Sequence, residues 1–294
     1  MIDYIRLRLD RAKYFDVFNN PSRYNLTQQY HLANDSLSQH YIGYYDKMTI
    51  EINPHHIVIR GSLHKFYNSS FNEEDQNFSD FTYTQLVAAI DRLSQRLKFD
   101  PTDAIIENLE FGVNIELDTN VKDFLNKNLL MMKGREASNI EEHGKYGQLR
   151  RFTFSQYDLK VYDKGSQYKL DKNVLRLEVK TKKSAFFTTD GMKWTLQDLK
   201  SKNILGRLQN ILIEKANELC ICNQFELIDI DQHEDWTALI QFTNPKYWTS
   251  LKKNSTYYRR KKKFGRLIEK YKLDELKKEV IGKTKSKSKL LLKT

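Results

Sequence analysis

Glutamate, lysine, arginine and tyrosine recur at alternating positions in two stretches, residues 109–117 and 157–180. These are the types that phosphoryl transfer on a nucleic acid requires. Such chemistry takes a nucleophile that can reach phosphorus, positive groups for the developing charge, and usually a divalent metal on carboxylate or imidazole. Glu110 and Glu116 fall on one face of a strand pattern, and Glu178 on the polar face of another. If those strands pair, the carboxylates are hard oxygen ligands suited to Mg²⁺ or Mn²⁺. Taken singly, each glutamate reads first as a solvated strand face or an ion pair with Arg176 or Lys180.

No two of the seven histidines are separated by a single residue, so a histidine-hydrophobe-histidine metal motif is absent. His64, in Gly61-Ser62-Leu63-His64-Lys65-Phe66, is placed to give one imidazole to a metal otherwise held by carboxylates, or simply to hydrogen-bond. With 17 tyrosines in the chain, position has to discriminate among them. Tyr146 lies between Gly144 and Gly147, beside His143 and Lys145 and just ahead of Arg150 and Arg151, a basic setting suited to a phosphate-attacking phenol. Tyr157 heads a Tyr-x-x-Lys spacing to Lys160, which on a strand sends the two side chains to opposite faces. Tyr157 is therefore the second choice of nucleophile, with base stacking as its non-catalytic role.

The elements that must position these residues are legible from periodicity. Residues 2–9 predict a first strand, Met48, Ile50 and Ile52 a second, and Ile57 and Ile59 a third after the turn at Asn53-Pro54. Thr82 and Gln85 make a capping box ahead of Leu86, Val87, Ile90, Leu93 and Leu97, which predicts a helix ending near Phe99. Leu109, Phe111, Val113, Ile115 and Leu117 alternate with polar residues as a clear strand. Residues 152–164 and 174–180 predict paired strands around a loop at 165–173. From Thr195 the pattern becomes helical, with a run at 204–219 and an amphipathic helix at 257–271. The expected fold is α+β, a mixed or antiparallel sheet with helices on one face, followed by a helical basic C-terminal region. The divisions are 1–185 for the sheet domain, 186–281 for the helical region and 282–294 for a basic flexible tail.

Charge is unevenly spread. The chain carries a net +11, yet residues 251–294 hold 17 Lys and Arg against 4 Asp and Glu, so the body is about neutral. A basic segment on a neutral body suits a polyanion clamp, with Arg259, Arg260, Lys261, Lys262, Lys263 and Arg266 as its DNA-binding residues. Cys220 and Cys222 are too close for an ordinary disulfide or a complete zinc site and read as small hydrophobes. There is no apolar run of about 18 residues. The first residues lack a signal-peptide pattern, so a cytoplasmic location is expected, in a bacterial host on the resemblance given below.

Tyr146-Gly147, then Tyr157-Asp158-Leu159-Lys160-Val161-Tyr162-Asp163-Lys164-Gly165, then Leu175-Arg176-Leu177-Glu178-Val179-Lys180 resemble the replication initiators of the filamentous-phage gene II type and related plasmid rolling-circle Rep proteins. Gly61 to Phe66 is similar to an earlier Gly-x-x-x-Lys-Phe element of that family, and Glu110 falls where its central strand bears an acid, commonly aspartate. The interval from Tyr146 to Tyr162 is about three residues longer than the family's usual one. The resemblance spans roughly residues 45–185 and rests on the order of the motifs. It implies a metal-dependent nickase and ligase acting at a replication origin, on a hairpin or single-stranded nick site, by attack of a tyrosine on a phosphodiester. The products are a 5′-phosphotyrosine and a free 3′-OH. On this reading Glu110, Glu178 and His64 hold Mg²⁺ or Mn²⁺, and Lys160 and Lys164 partner the phosphate or nucleophile. Lys65, Arg150, Arg151 and Arg176 grip DNA, and a host helicase and polymerase are candidate partners. The rival from another class is a DNA-binding replicon control or partition protein without catalysis, for which the basic end and the aromatics suffice.

Overall fold

The computed structural model describes residues 1–31, 36–72, 75–143, 147–188, 191–226, 228–230 and 232–294. Ten strands form one sheet: β1 (Ile2–Asp10), β2 (Thr27–His31), β3 (Ser36–Tyr45), β4 (Met48–Ile52), β5 (His56–Ser62), β6 (Ile105–Glu116), β8 (Asn139–His143), β9 (Gly147–Thr153), β10 (Tyr157–Asp163) and β11 (Val174–Thr181). Their spatial order is β2-β3-β4-β5-β1-β6-β11-β10-β9-β8. Every pairing is antiparallel. A separate two-stranded ribbon joins β7 (Leu129–Met132) to β12 (Leu219–Ile221).

The alternation that predicts β6, β10 and β11 also divides the sheet into two unlike faces. Leu109, Phe111, Val113 and Ile115 of β6 join Leu175, Leu177 and Val179 of β11 on the apolar face, all of them buried. Against that face lies the helix Lys202–Asn217, whose Leu205, Leu208 and Leu212 meet Phe111 and Val113. Gln209 of the same helix donates to the Ser288 carbonyl at 2.8 Å, tying in the terminal helix Glu275–Lys293. The helix Tyr83–Leu97 begins at the predicted capping box: the Thr82 amide donates to Gln85 Oε1 at 2.8 Å, and the Gln85 amide donates to Thr82 Oγ1 at 3.4 Å. It ends as Lys98 turns left-handed, at φ 56°.

Two expectations are corrected. Residues 165–173 are not all loop: Lys164–Tyr168 is a short helix capped by Asp163, which accepts from the Ser166 amide at 2.8 Å. Residues 282–293, expected as part of a basic flexible tail at 282–294, belong to the helix Glu275–Lys293, which Thr294 caps. Val280, Ile281, Thr284, Ser288 and Leu291 are buried at spacings of three and four, with lysines between them on the outer side. Two of the inward residues are small and polar, so the stripe carries little hydrophobic signal in sequence.

Behind the main core, a second apolar cluster gathers Met131, Phe225, Leu239, Phe242, Trp248, Tyr257, Phe264 and Leu267. It holds the helices His233–Thr243 and Ser255–Lys270 to the β7–β12 ribbon. No helix among the described residues is long and apolar enough to cross a membrane.

Candidate active site on the polar sheet face

Cross-strand register places the even-numbered residues of β6, β10 and β11 together on the second face. Lys160 is opposite Glu178, Tyr162 opposite Arg176, Lys180 opposite Glu110, and Arg176 opposite Asn114. Gly112 faces Glu178 in this register, and any side chain at Gly112 would run into the Leu177 carbonyl, so only glycine lets β6 and β11 approach here.

The charged side chains connect in one run. Lys180 Nζ lies 2.9 Å from Glu110 Oε1, and Lys160 Nζ lies 2.8 Å from Glu110 Oε2 and 2.9 Å from Glu178 Oε1. Arg176 donates through Nε to Glu178 Oε2 at 2.7 Å, through one terminal nitrogen to Asn114 Oδ1 at 3.0 Å, and through the other to Asp3 Oδ2 at 3.1 Å. Asn77 closes the run: its amide nitrogen donates to Asp3 Oδ2 at 2.8 Å, while its Oδ1 accepts from Lys164 Nζ at 2.8 Å and from the Tyr168 hydroxyl at 2.6 Å. Exposure is graded along it, from a Lys180 side chain 40% exposed to Lys164 at 1%. The run therefore opens at Lys180 and is covered by residues 75–81 at Lys164. There the Phe78 carbonyl accepts from Asn114, and the Phe78 ring packs on Tyr168.

Burial shifts these groups strongly. It favours the neutral form of Glu110, and the neighbouring Glu178 adds to that effect, so the Glu110 pKa is raised. For Glu178, burial is outweighed by Arg176 and Lys160, which hold its pKa well below the usual range. Lys160 is pushed up to about 12, as Glu178 and Glu110 overcome its burial. Lys164 moves the other way, lowered to about 7 by burial and then by Arg176.

The residues expected to hold a metal come together only in part. Glu110 and Glu178 meet, but across the Lys160 ammonium, and each of their oxygens is already engaged by Lys180, Lys160 or Arg176. His64 faces elsewhere: its Nε2 lies 3.2 Å from Ser79 Oγ and its ring stacks on Phe81 at 4.7 Å. Burial and the amino group of Met1 lower its pKa to about 3, so it is neutral. Among the described residues no three His, Cys, Asp or Glu are grouped to hold a metal ion. As arranged, the three do not form a divalent-cation site.

Tyr157 sits on the opposite, apolar face, stacked between Phe154 at 4.8 Å and Phe186 at 4.5 Å. Burial and then Glu218 push its phenol up to about 12, the reverse of activation. Tyr146 lies outside the described residues. Gly147, which follows it, opens β9 two residues before Leu149, the partner of Tyr162, and so enters the sheet at the Lys164 end of the run.

Arg151 pairs with Lys160 in register and shares the polar face, whereas Arg150 is buried, donating to the Leu125 carbonyl at 3.2 Å and to Asn126 Oδ1 at 2.6 Å. Lys65 pairs with Asp75 at 3.2 Å. Arg259, Lys261, Lys262 and Arg266 are exposed on the helix Ser255–Lys270, with Arg260 and Lys263 partly so. The alternation of β6 puts Asn114 on the polar face, as found, but motif spacing and periodicity do not point to Asp3, Asn77 and Tyr168. Asp3 reaches this face because register shifts between Ile2 and Ile5, a bulge that periodicity does not reveal. Asn77 lies in a connection that carries no pattern.

No model of a known protein family matches the chain, and no curated protein sequence matches it. Among solved structures it is similar to the rolling circle replication initiator protein from Geobacillus stearothermophilus, with a TM-score of 0.41 and 12% identity over 79% of this chain and 89% of that one.

Proposed function

We propose that this protein is a phage or plasmid rolling-circle replication initiator that nicks one DNA strand at an origin and later rejoins it. The observation that carries the reading is the convergence of the motif residues. Lys160, Tyr162, Lys164, Arg176 and Glu178, which bear the sequence resemblance, share one sheet face with Glu110, and the strand that follows Tyr146 enters the sheet beside the Lys164 end of that face.

In the proposed step the Tyr146 phenolate oxygen bonds to phosphorus as the P–O3′ bond breaks. The leaving 3′ oxygen takes up a proton, and a 5′-phosphotyrosine remains. Rejoining is the reverse attack by the 3′-OH. Lys160 has three N–H donors, two of them directed at Glu110 and Glu178, and with Lys180 it supplies positive charge at the open part of the face. Arg176 is a positioning residue that holds Glu178, Asn114 and Asp3 in register. Lys164 anchors Asn77, and with it the covering segment 75–81. The exposed cations of the helix Ser255–Lys270 bind the phosphate backbone.

The test incubates the protein with supercoiled replicon DNA in Mg²⁺, in Mn²⁺ and in chelator. The expected product is a nicked circle with protein on its 5′ end, retained by Tyr157→Phe and lost in Tyr146→Phe. Nicking that survives Tyr146→Phe refutes the nucleophile assignment. A wild type that shifts DNA mobility without cutting it under any of these conditions establishes the non-catalytic binding protein instead.

A further inference from the structure

Away from the polar face, a cavity of about 390 Å³ lies between the β7–β12 ribbon and the helix Ser255–Lys270. Its walls include Met131, Trp248, Phe264 and Ile268, and at its rim stand Lys133, Lys261 and Lys277, from three separate parts of the chain. Lys133 is matched by Glu218 at 2.9 Å. Lys261 and Lys277 have no ion pair among the described residues, and both line the cavity together with Cys220. Burial pushes that thiol up to about 11, and it supplies no compensating anion.

Apolar walls with two uncompensated ammonium groups fit a ligand that is flat and apolar at one end and anionic at the other. The volume falls in the ordinary range of small-ligand sites. Lys261 also belongs to the consecutive basic residues Arg259, Arg260, Lys261, Lys262 and Lys263, which wind once round the helix, so a polyanion bound to that helix and a ligand in the cavity can share Lys261.

We infer that this cavity takes one nucleotide of a single DNA strand, its base against Trp248 and Phe264 and its phosphate on Lys261 and Lys277. The inference rests on the DNA-handling reading above but not on nicking. It assigns the C-terminal region a base-dependent grip beyond attraction of phosphates.

Gly265 makes the test clean. It lines the cavity, and a Cβ built on it meets nothing within 4 Å, so a side chain there enters open space without forcing the helix apart. Binding is measured by anisotropy of a 3′-labelled single strand of about ten nucleotides and of the same backbone without bases. The wild type should prefer the strand with bases by about tenfold or more, the scale of one stacked base. Gly265→Ala should keep that preference and Gly265→Leu should abolish it, while Lys261→Gln with Lys277→Gln should weaken binding to both strands. A Gly265→Leu protein that retains the preference overturns the inference, as does a wild type that shows none. Free dAMP is the second arm: displacement of the strand by dAMP at matched nucleotide concentration assigns the cavity to free nucleotides and overturns the strand reading. Loss of nicking activity alongside an intact, Gly265-dependent base preference would sink the proposed function and leave this inference standing.

Discussion

Replacing Lys160 by methionine removes the one cation shared by Glu110 and Glu178 while keeping most of its apolar stem. Glu178 retains Arg176 at 2.7 Å, but Glu110 is left with Lys180, whose side chain is 40% exposed and well screened. Removing one partner from a buried ion pair costs roughly 3–5 kcal/mol, because the remaining charge is stranded. Both carboxylates qualify, with side chains 10% and 3% exposed. For a chain of this length the loss lowers Tm by roughly 5–8 °C. The cost must depend on pH. The folded pKa of Glu110 is already raised above its ordinary 4.5, so the folded state binds a proton more readily than the unfolded one, and this contribution to stability is lost as pH rises through the folded value. Without Lys160 that pKa rises further. The variant should therefore be hurt most at pH 7.5 and least near pH 5, where Glu110 can take a proton. Urea unfolding of wild type and Lys160→Met at the two pH values measures the difference. Adding Glu110→Gln should restore much of the loss at pH 7.5. A Lys160→Met protein as stable as wild type at pH 7.5, or a loss unchanged at pH 5, refutes the coupling of these three side chains.

Tyr157→Phe should change stability by less than about 1 kcal/mol in chemical unfolding, since the hydroxyl is buried with no hydrogen-bond partner and its removal leaves no group stranded. Leu291→Ala should cost about 2–4 kcal/mol in the same assay, because Leu291 is 2% exposed; a disordered tail would show no effect. Changing exposed Lys262 and partly exposed Lys263 to glutamine should weaken duplex binding without regard to sequence. For every phosphate that is no longer neutralised, the slope of log affinity against log salt should fall by about one, read from titrations at several salt concentrations.

The strands of the site are readable because β6, β10 and β11 each turn an apolar face to the core and a polar face away from it, and a strict alternation records that difference in the sequence. The same alternation correctly sends Tyr157 and Lys160 to opposite faces. It does not reveal that the Lys160 ammonium lies between Glu110 and Glu178, since periodicity gives a side chain's face and not its partner across the sheet. His64 reads from its place after a strand either as a ligand or as a hydrogen-bonded histidine, and the helix it enters turns it toward Ser79 and Phe81, the second arrangement. The last helix escapes sequence reading for a different reason. Its inward stripe runs through Thr284 and Ser288, and small polar residues against a neighbouring helix look the same in sequence as a solvated segment.

The polar face is costly to maintain. Asp3, Glu178, Arg176 and Lys164 are all under a tenth exposed, and apolar residues of similar size at such positions are commonly as stable or more so. Leu175, Leu177 and Val179 on the same strand show that β11 is compatible with an apolar environment, so the charges are not imposed by the strand. Nor do they serve to neutralise a net charge, since the body apart from the last 44 residues is already about neutral. What the arrangement provides is charge fixed in place before any ligand arrives. Lys160 is held by two carboxylates, and Arg176 by three side-chain partners, at positions that water and side-chain motion would otherwise blur. Preorganised charge of that kind is what stabilises a developing phosphorane without reorganisation at the moment of reaction. The division of labour follows from this. The exposed cations of the helix Ser255–Lys270 are not held by partners on several sides, whereas Lys160 and Arg176 on the sheet are tied to two and three side chains and present their charge in one geometry.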